Sequence, residues 1–205
     1  MKSKTAVLTF DFEKTLYPEG MIACGTDEAG RGPLAGNVVA AAVILPDGAD
    51  IPGLNDSKKL SEKKRETLFG VITASAVSFG IAWATPEEID EYNILNASML
   101  AMRRAVEKLS VTPDVVIVDG NCARGFPVRA VTVIGGDAKC PSVAAASILA
   151  KVTRDRQMAE LDLAYPQYGF AKHKGYPTKE HMDAVRRFGA IDRIYRKSFL
   201  GFLER

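Results

Sequence analysis

Acidic side chains recur where strand-like runs stop. Asp27-Glu28 closes the apolar run 21–26, Asp119 closes 115–118, and Asp137 follows 128–134 after Gly135-Gly136. If these strand ends share one edge of a sheet, four carboxylates converge, and like charges that close need compensation. A site made only of carboxylate oxygens suits Mg²⁺ or Mn²⁺ rather than zinc. Successive strand residues point to opposite faces, so Asp27 and Glu28 can share a site only at a strand end or a bulge. Without either, one of the two is a spectator. A lone Asp at a strand end is commonly a turn or cap residue; its recurrence at three strands favours a site.

Beside the first pair lies a glycine turn, Gly30-Arg31-Gly32-Pro33-Leu34-Ala35-Gly36. It fails as a dinucleotide loop, because the third glycine comes one position late and a strand rather than a helix follows. That weakens a nucleotide-dependent oxidoreductase. Glycines also permit close backbone approach to a ligand, and Gly30 and Gly32 could present peptide groups to a sugar hydroxyl or phosphate.

The elements that must position these residues read as strands at 21–26, 38–45, 76–84, 115–118 and 128–134. Ser61 caps a helix to about Ser75. Thr85, with Pro86 and Glu88, opens another that runs to about Leu109. A long helix over 142–163 begins with small residues, Ala144, Ala145, Ala146 and Ala150, which allow close approach to another backbone. Residues 165–178 read as a loop, Thr178 or Pro177 opens a further helix, and a final helical segment runs to Arg205. Trp83 reads as core. This order predicts an α/β domain, a mixed central sheet flanked by helices with a helical C-terminal region. Residues 1–20 read as an extension and 21–205 as the domain.

Of the 205 residues, 47% are apolar and 25% charged, the composition of a globular domain. No apolar run approaches the roughly 20 residues that span a bilayer. No signal peptide is apparent, so a cytoplasmic protein is expected. Cys24, Cys122 and Cys140 lack the spacing of a disulfide framework or zinc cluster. The net charge of +2 hides a division: residues 1–137 carry 14 Lys+Arg against 18 Asp+Glu, and 138–205 carry 13 against 7. An acidic front and a basic back suit carboxylates set beside a polyanion. In 165–176, Tyr165, Tyr168, Phe170 and Tyr176 alternate with Lys172 and Lys174, a pattern suited to sugar stacking and phosphate contact. Tyr168 and Phe170 are expected to pack under the loop. His173 and His181 lack metal-ligand spacing and are expected to make backbone or surface contacts.

Five stretches resemble the type 2 ribonucleases H, specifically bacterial ribonuclease HII. They are Asp27-Glu28-Ala29-Gly30-Arg31-Gly32-Pro33, Asn55-Asp56-Ser57-Lys58-Lys59-Leu60-Ser61, Val118-Asp119-Gly120, the run from Ala144 to Asp155, and His173-Lys174-Gly175-Tyr176-Pro177-Thr178. The resemblance implies a ribonuclease H-like fold and an endonuclease that cuts RNA within RNA–DNA hybrids. It also implies nicking of duplex DNA 5′ of single ribonucleotides, leaving 3′-hydroxyl and 5′-phosphate ends. It makes Asp27, Glu28, Asp119 and Asp137 the metal-binding and catalytic carboxylates. Gly30, Arg31 and Gly32 become readers of the ribose 2′-hydroxyl, Tyr176 a stacking residue on the neighbouring deoxyribose, and Lys58 a phosphate contact. Asp155 is not implied as a ligand. The family often has Lys-Gly-Asp where this chain has Gly135-Gly136-Asp137, and Lys139 is the expected substitute for the missing charge.

The expected mechanism is two-metal hydrolysis with Mg²⁺ or Mn²⁺, Asp27 bridging, and Lys58 and Lys151 on phosphates. The 2′-hydroxyl would be read by a backbone donor and acceptor from Gly30–Gly32. The expected partners are RNA–DNA hybrid and ribonucleotide-containing duplex DNA, with no membrane and a monomeric enzyme. A non-catalytic nucleic-acid-binding module of the same fold is the alternative.

Overall fold

A computed structural model describes residues 8–204. Five strands form one sheet: β1 (Ala23–Ala29), β2 (Val38–Ile44), β3 (Ser78–Ala84), β4 (Val115–Asp119) and β5 (Arg129–Val133). Their order is β3-β2-β1-β4-β5. β1–β2–β3 pair antiparallel, and β4 and β5 add in parallel on the other side of β1. The helices are α1 (Phe10–Glu13), α2 (Glu62–Ser75), α3 (Pro86–Glu107), α4 (Pro141–Ala164), α5 (Phe170–His173) and α6 (Lys179–Phe188).

The sheet is covered on both faces. Val38, Ala40 and Ala42 of β2 pack with Ala97, Ala101 and Ala105 of α3. Ala41 and Val43 pack with Ala144, Ala145 and Ile148 of α4 and with Leu68 and Ile72 of α2. All seven residues of β2 are buried, which fits its unbroken apolar run. The small residues of α4 do what their size allows. The helix lies so close over β1 that a Cβ on Gly25 would fall 2.3 Å from the Val143 nitrogen.

The capping signals are realised. Ser61 accepts from the Lys64 N–H and Thr178 from the His181 N–H, and Thr85 with Glu88 forms a capping box. Other expectations need correction. β1 extends through Ala29, so Asp27 and Glu28 lie within the strand on its β2 side. The α3 stripe is broken at Asn93 (φ 65°), whose side chain accepts from Leu95 and Asn96 N–H and starts the helix afresh. Residues 165–178 hold a 3₁₀ turn at Pro166–Tyr168 and the single-turn α5, both too short to show a period. Beyond α6 the chain is not helical as expected: Tyr195 makes a β-bridge to Ala35, and 3₁₀ turns follow at Lys197–Phe199 and Gly201–Glu204. Trp83 is not core. It lies on the edge strand β3, 41% exposed, with the Lys108 ammonium over its ring.

The segment before β1 lies against the domain. Leu8 and Phe10 pack on the α4 side of the core, and buried Glu13 accepts from the Ser142 N–H at 3.0 Å, at the start of α4. The first seven residues of the expected extension, and Arg205, lie outside the described residues.

Candidate active site

β1 and β4 run parallel, and their last pair is Thr26↔Val118. One residue further, Asp27 and Asp119 come level on neighbouring strands and point to the α4 face. No bulge brings Glu28 to join them, since β1 pairs regularly with β2 through Ala29↔Val39. The relief comes from the other side. β4 pairing has already ended, so Glu28 lies past the end of that neighbour.

Asp137 arrives from β5. Asp119 Oδ1 accepts from the Gly136 N–H at 2.7 Å, so one carboxylate holds the turn that carries the next. The turn is a 3₁₀ element, Gly136–Ala138, preceded by Gly135 in the left-handed region.

The electrostatics are those of mutually repelling acids. Burial pushes the Asp27 carboxyl well above the usual range, and the charges of Glu28 and Asp119 push it further. Burial also raises Glu28, with Arg31 opposing and Asp119 adding. Asp137 is raised by burial, then by Asp56 and Asp119. Lys58 faces this group. Its Nζ lies 3.9 Å from Asp137 Oδ2, and although partial burial opposes, the surrounding acids raise its pKa. The expected substitute, Lys139, instead donates to the Ile134 carbonyl at 2.7 Å. Lys58 therefore supplies the cation beside Asp137.

The four carboxylates offer hard oxygen donors whose negative charge Lys58 and Arg31 offset only in part, and they fit Mg²⁺ or Mn²⁺ on that chemistry. Among the described residues no three His, Cys, Asp or Glu side chains already stand at ligand spacing.

The glycine loop is fastened from behind by two buried arginines. Arg196, fully buried, makes five hydrogen bonds to four of its carbonyls: Gly30, Arg31, Pro33 and Gly36. Arg154 donates to the Ala35, Asn37 and Lys174 carbonyls. Burial, and then the neighbouring Arg154, lower Arg196 to about 9, which leaves it charged at neutral pH. Gly30 sits at φ +99°, and a Cβ there would lie 2.0 Å from Arg154 Nε. The Gly30 and Arg31 carbonyls are engaged by Arg196, whereas among the described residues the Gly32 carbonyl accepts no hydrogen bond, which makes it the readiest acceptor of the loop toward a ligand.

Tyr176, 44% exposed, lies alongside: a Cβ on Gly32 would be 3.5 Å from its ring. Arg31 is half exposed, 3.4 Å from Glu28 Oε1. Lys151 is not brought to this group. Its Nζ pairs with Asp155 at 2.5 Å, and burial lowers its pKa. Asp155 also faces Arg65 at 3.6 Å, and Arg65 donates to the Ser57 and Leu60 carbonyls, fixing the turn that carries Lys58. Sequence reasoning missed Arg65, Arg154 and Arg196 as supports. It also missed Asp56, which accepts from the Lys58 N–H at 2.9 Å and adds charge beside Asp137.

Carboxylates gathered from β1, the end of β4 and the turn after β5 on a mixed five-stranded sheet, flanked by helices and set beside a glycine loop, fit a metal-dependent nuclease of the ribonuclease H-like class. The profile of the family described as Ribonuclease HII matches residues 24–201. The chain is 56% identical over 194 residues to "Ribonuclease HII" of Shewanella sp. (strain MR-7), covering 92% of each chain. Among solved structures it is similar to the ribonuclease H2 from Pyrococcus horikoshii OT3, with TM-score 0.74 and 27% identity over 90% of this chain and 98% of that one. It shares its fold with Bst-RNase HIII in complex with Mn²⁺, with TM-score 0.70 and 18% identity over 98% of this chain and 70% of that one. The chain belongs to the ribonuclease HII family, endoribonucleases with ribonuclease H activity on RNA–DNA hybrids.

Proposed function

We propose that this centre hydrolyses the RNA strand of hybrids and also nicks duplex DNA 5′ of single embedded ribonucleotides, leaving 3′-hydroxyl and 5′-phosphate ends. The observation that carries this reading is the pairing of two features. Asp27 and Asp119 stand level with Asp137 tied to them, and a glycine loop held rigid by Arg196 stands beside them. Asp27, Glu28, Asp119 and Asp137 would hold two Mg²⁺ or Mn²⁺ ions. When bound, such ions lower the pKa of an attacking water and stabilise a leaving oxygen. The Mn²⁺ on the fold relative supports that metal class.

The chain's own residues then bind and orient. Lys58, held beside Asp137, draws a backbone phosphate toward the carboxylates. Arg31 and the outward N–H groups of the loop, with the Gly32 carbonyl, read the 2′-hydroxyl, which is both donor and acceptor. Tyr176 stacks on the next sugar. One chain holds every part, which supports a monomer, and a cytoplasmic setting suits the substrate. Among the described residues no helix is long and apolar enough to cross a membrane.

The test is a nicking assay on duplex DNA with one ribonucleotide, run with Mg²⁺, Mn²⁺ or chelator beside an all-DNA control. A metal-dependent nick 5′ of the ribonucleotide, with the control intact, is expected. Asp119→Asn should lower turnover roughly a thousandfold or more while leaving duplex binding intact. Folded protein that binds the duplex and never nicks it would instead be a binding module.

A further inference from the structure

Two histidines lie behind Tyr176, and the mechanism above uses neither. His173 and His181 are buried and stacked, with ring centroids 4.1 Å apart. Their hydrogen bonds fix their tautomers. His173 Nδ1 accepts from the Gly175 N–H at 3.1 Å, so its proton is on Nε2, which donates to the Tyr168 carbonyl at 2.7 Å. His181 Nδ1 lies 2.9 Å from the Tyr176 carbonyl, which can only accept, so Nδ1 carries the proton. Neutral Nε2 then accepts from the Tyr195 hydroxyl at 2.8 Å. With every ring nitrogen occupied, neither histidine is free to bind a metal or exchange a proton with substrate.

The two rings hold adjacent backbone groups of one turn, His173 at Gly175 and His181 at Tyr176. Lys174 (φ +52°) and Gly175 (φ +80°) are left-handed, a conformation that must be held for a lysine. The Lys174 carbonyl accepts from Arg154, the Gly175 N–H goes to His173, and the Gly175 carbonyl accepts from the Leu34 N–H of the glycine loop at 2.8 Å. The Tyr176 N–H donates to the His173 carbonyl, and its own carbonyl accepts from His181. The Tyr176 backbone is thus pinned on both sides while its ring stays outside against Gly32.

We propose that the His173–His181 stack, completed by the Tyr195 hydroxyl, is a positioning device for Tyr176. It sets the angle at which that ring meets the sugar next to the cleaved bond. This rests on the proposed role of Tyr176 in substrate contact. The histidines work as fixed neutral hydrogen-bonding groups and pass no proton to the reaction.

The test is a double-mutant cycle on the ribonucleotide-containing duplex, read as kcat/KM with thermal melting alongside. Tyr195→Phe removes one hydroxyl and little packing. It should lower kcat/KM about threefold to tenfold. His181→Leu should lower it more. His181→Asn, whose amide nitrogen can take the place of Nδ1, should recover most of the loss. In a Tyr176→Ala background none of the three should lower kcat/KM further. If Tyr195→Phe has no effect, or if the losses persist undiminished in the Tyr176→Ala background, the positioning role is wrong. If Tyr176→Ala alone leaves kcat/KM unchanged, the substrate role of Tyr176 fails, and this inference with it. Should the His181 variants not fold, Tyr195→Phe decides alone.

Discussion

Replacing Arg196 should damage stability and activity together. Its side chain is fully buried and satisfies four loop carbonyls with five bonds of 2.7–3.0 Å. Charged hydrogen bonds contribute about 1.5–3 kcal/mol each, but they do not add, and a buried guanidinium loses hydration. In Arg196→Met that hydration cost disappears, while the Gly30, Arg31, Pro33 and Gly36 carbonyls lose their donor. Each buried carbonyl left without a donor costs about 1–3 kcal/mol and local relaxation recovers part of it, so the net loss expected is about 3–5 kcal/mol. For a chain of this length that corresponds to a fall in melting temperature of roughly 6–20 °C. Arg196→Lys brings a point charge with three donors in place of the planar fork, so it should fall between. The assay is a circular-dichroism melt at fixed pH and metal, with kcat/KM measured well below each midpoint. Folded Arg196→Met should be at least about tenfold slower, because a loosened loop no longer holds its N–H groups in place. A methionine variant that melts within about 2 °C of the parent and cleaves at the parental rate would refute the reasoning.

The two loop glycines should separate folding from function. Gly30→Ala places a Cβ 2.0 Å from Arg154 Nε at φ +99° and should destabilise by about 3 kcal/mol or more; Gly32→Ala makes only ordinary contact with Tyr176, so stability should hold within about 0.5 kcal/mol while kcat/KM falls. Retained kcat/KM in Gly32→Ala would remove the loop from substrate contact. The raised carboxyls predict a pH signature without divalent ions. Unfolded carboxyls deprotonate near 3.8–4.5, whereas Asp27, Glu28 and Asp137 keep their protons to higher pH when folded. Their contribution to stability is therefore greatest below that range and is lost as pH rises through the folded values. In calorimetry with chelator, Asp27→Asn should melt above the parent at pH 8 and match it near pH 4, and Mn²⁺ at pH 8 should stabilise the parent more than the variant. An equal gap at both pH values counts against this. Gly135→Lys meets no atom within 4 Å but adopts φ +66°, so it should cost about 1 kcal/mol and change turnover less than about twofold, because Lys58 already stands beside Asp137. A large gain in turnover would show that Lys58 does not fill that role.

What could be read from the sequence follows from how local its cause is. Caps at Ser61, Thr85 and Thr178 act within three residues, and all are present. Asp119 was legible because the β-branched run 115–118 stops at it just before Gly120, whereas Asp27 and Glu28 read as a strand end and lie within β1, whose last residues pair with β2 farther along the chain. The supports behind the site were not. Arg196 and the Gly30 carbonyl are separated by 166 residues and Arg154 and the Asn37 carbonyl by 117, so nothing in either neighbourhood announces the pairing. An arginine in a basic C-terminal stretch reads as solvated charge, yet here it is among the most buried side chains. Lys151 misled for the converse reason: it reads as a free cation, and Asp155 four residues on takes it.

The buried arginines also explain how one edge of the sheet can serve a polyanion. The carboxylates alone would repel a phosphodiester, and the elevated Asp27, Glu28 and Asp137 show how strongly burial and mutual repulsion resist further negative charge there. Directly behind the adjoining glycine loop, Arg154 and Arg196 keep two positive charges out of water, where solvent screens them less than surface charges. Arg196 donates only to loop carbonyls and Arg154 adds the Ala35 carbonyl, so these carbonyl dipoles turn toward the arginines. Among the described residues the Arg31 and Gly32 N–H groups make no hydrogen bond, which leaves them available to a sugar and its phosphate. On the proposed reading, divalent ions would supply the positive charge on one flank and the clamped loop on the other. On this account the arginines must act through the loop's orientation as well as its charge, so Arg196→Lys, which keeps the charge and loses the fork, should retain duplex affinity better than it retains kcat.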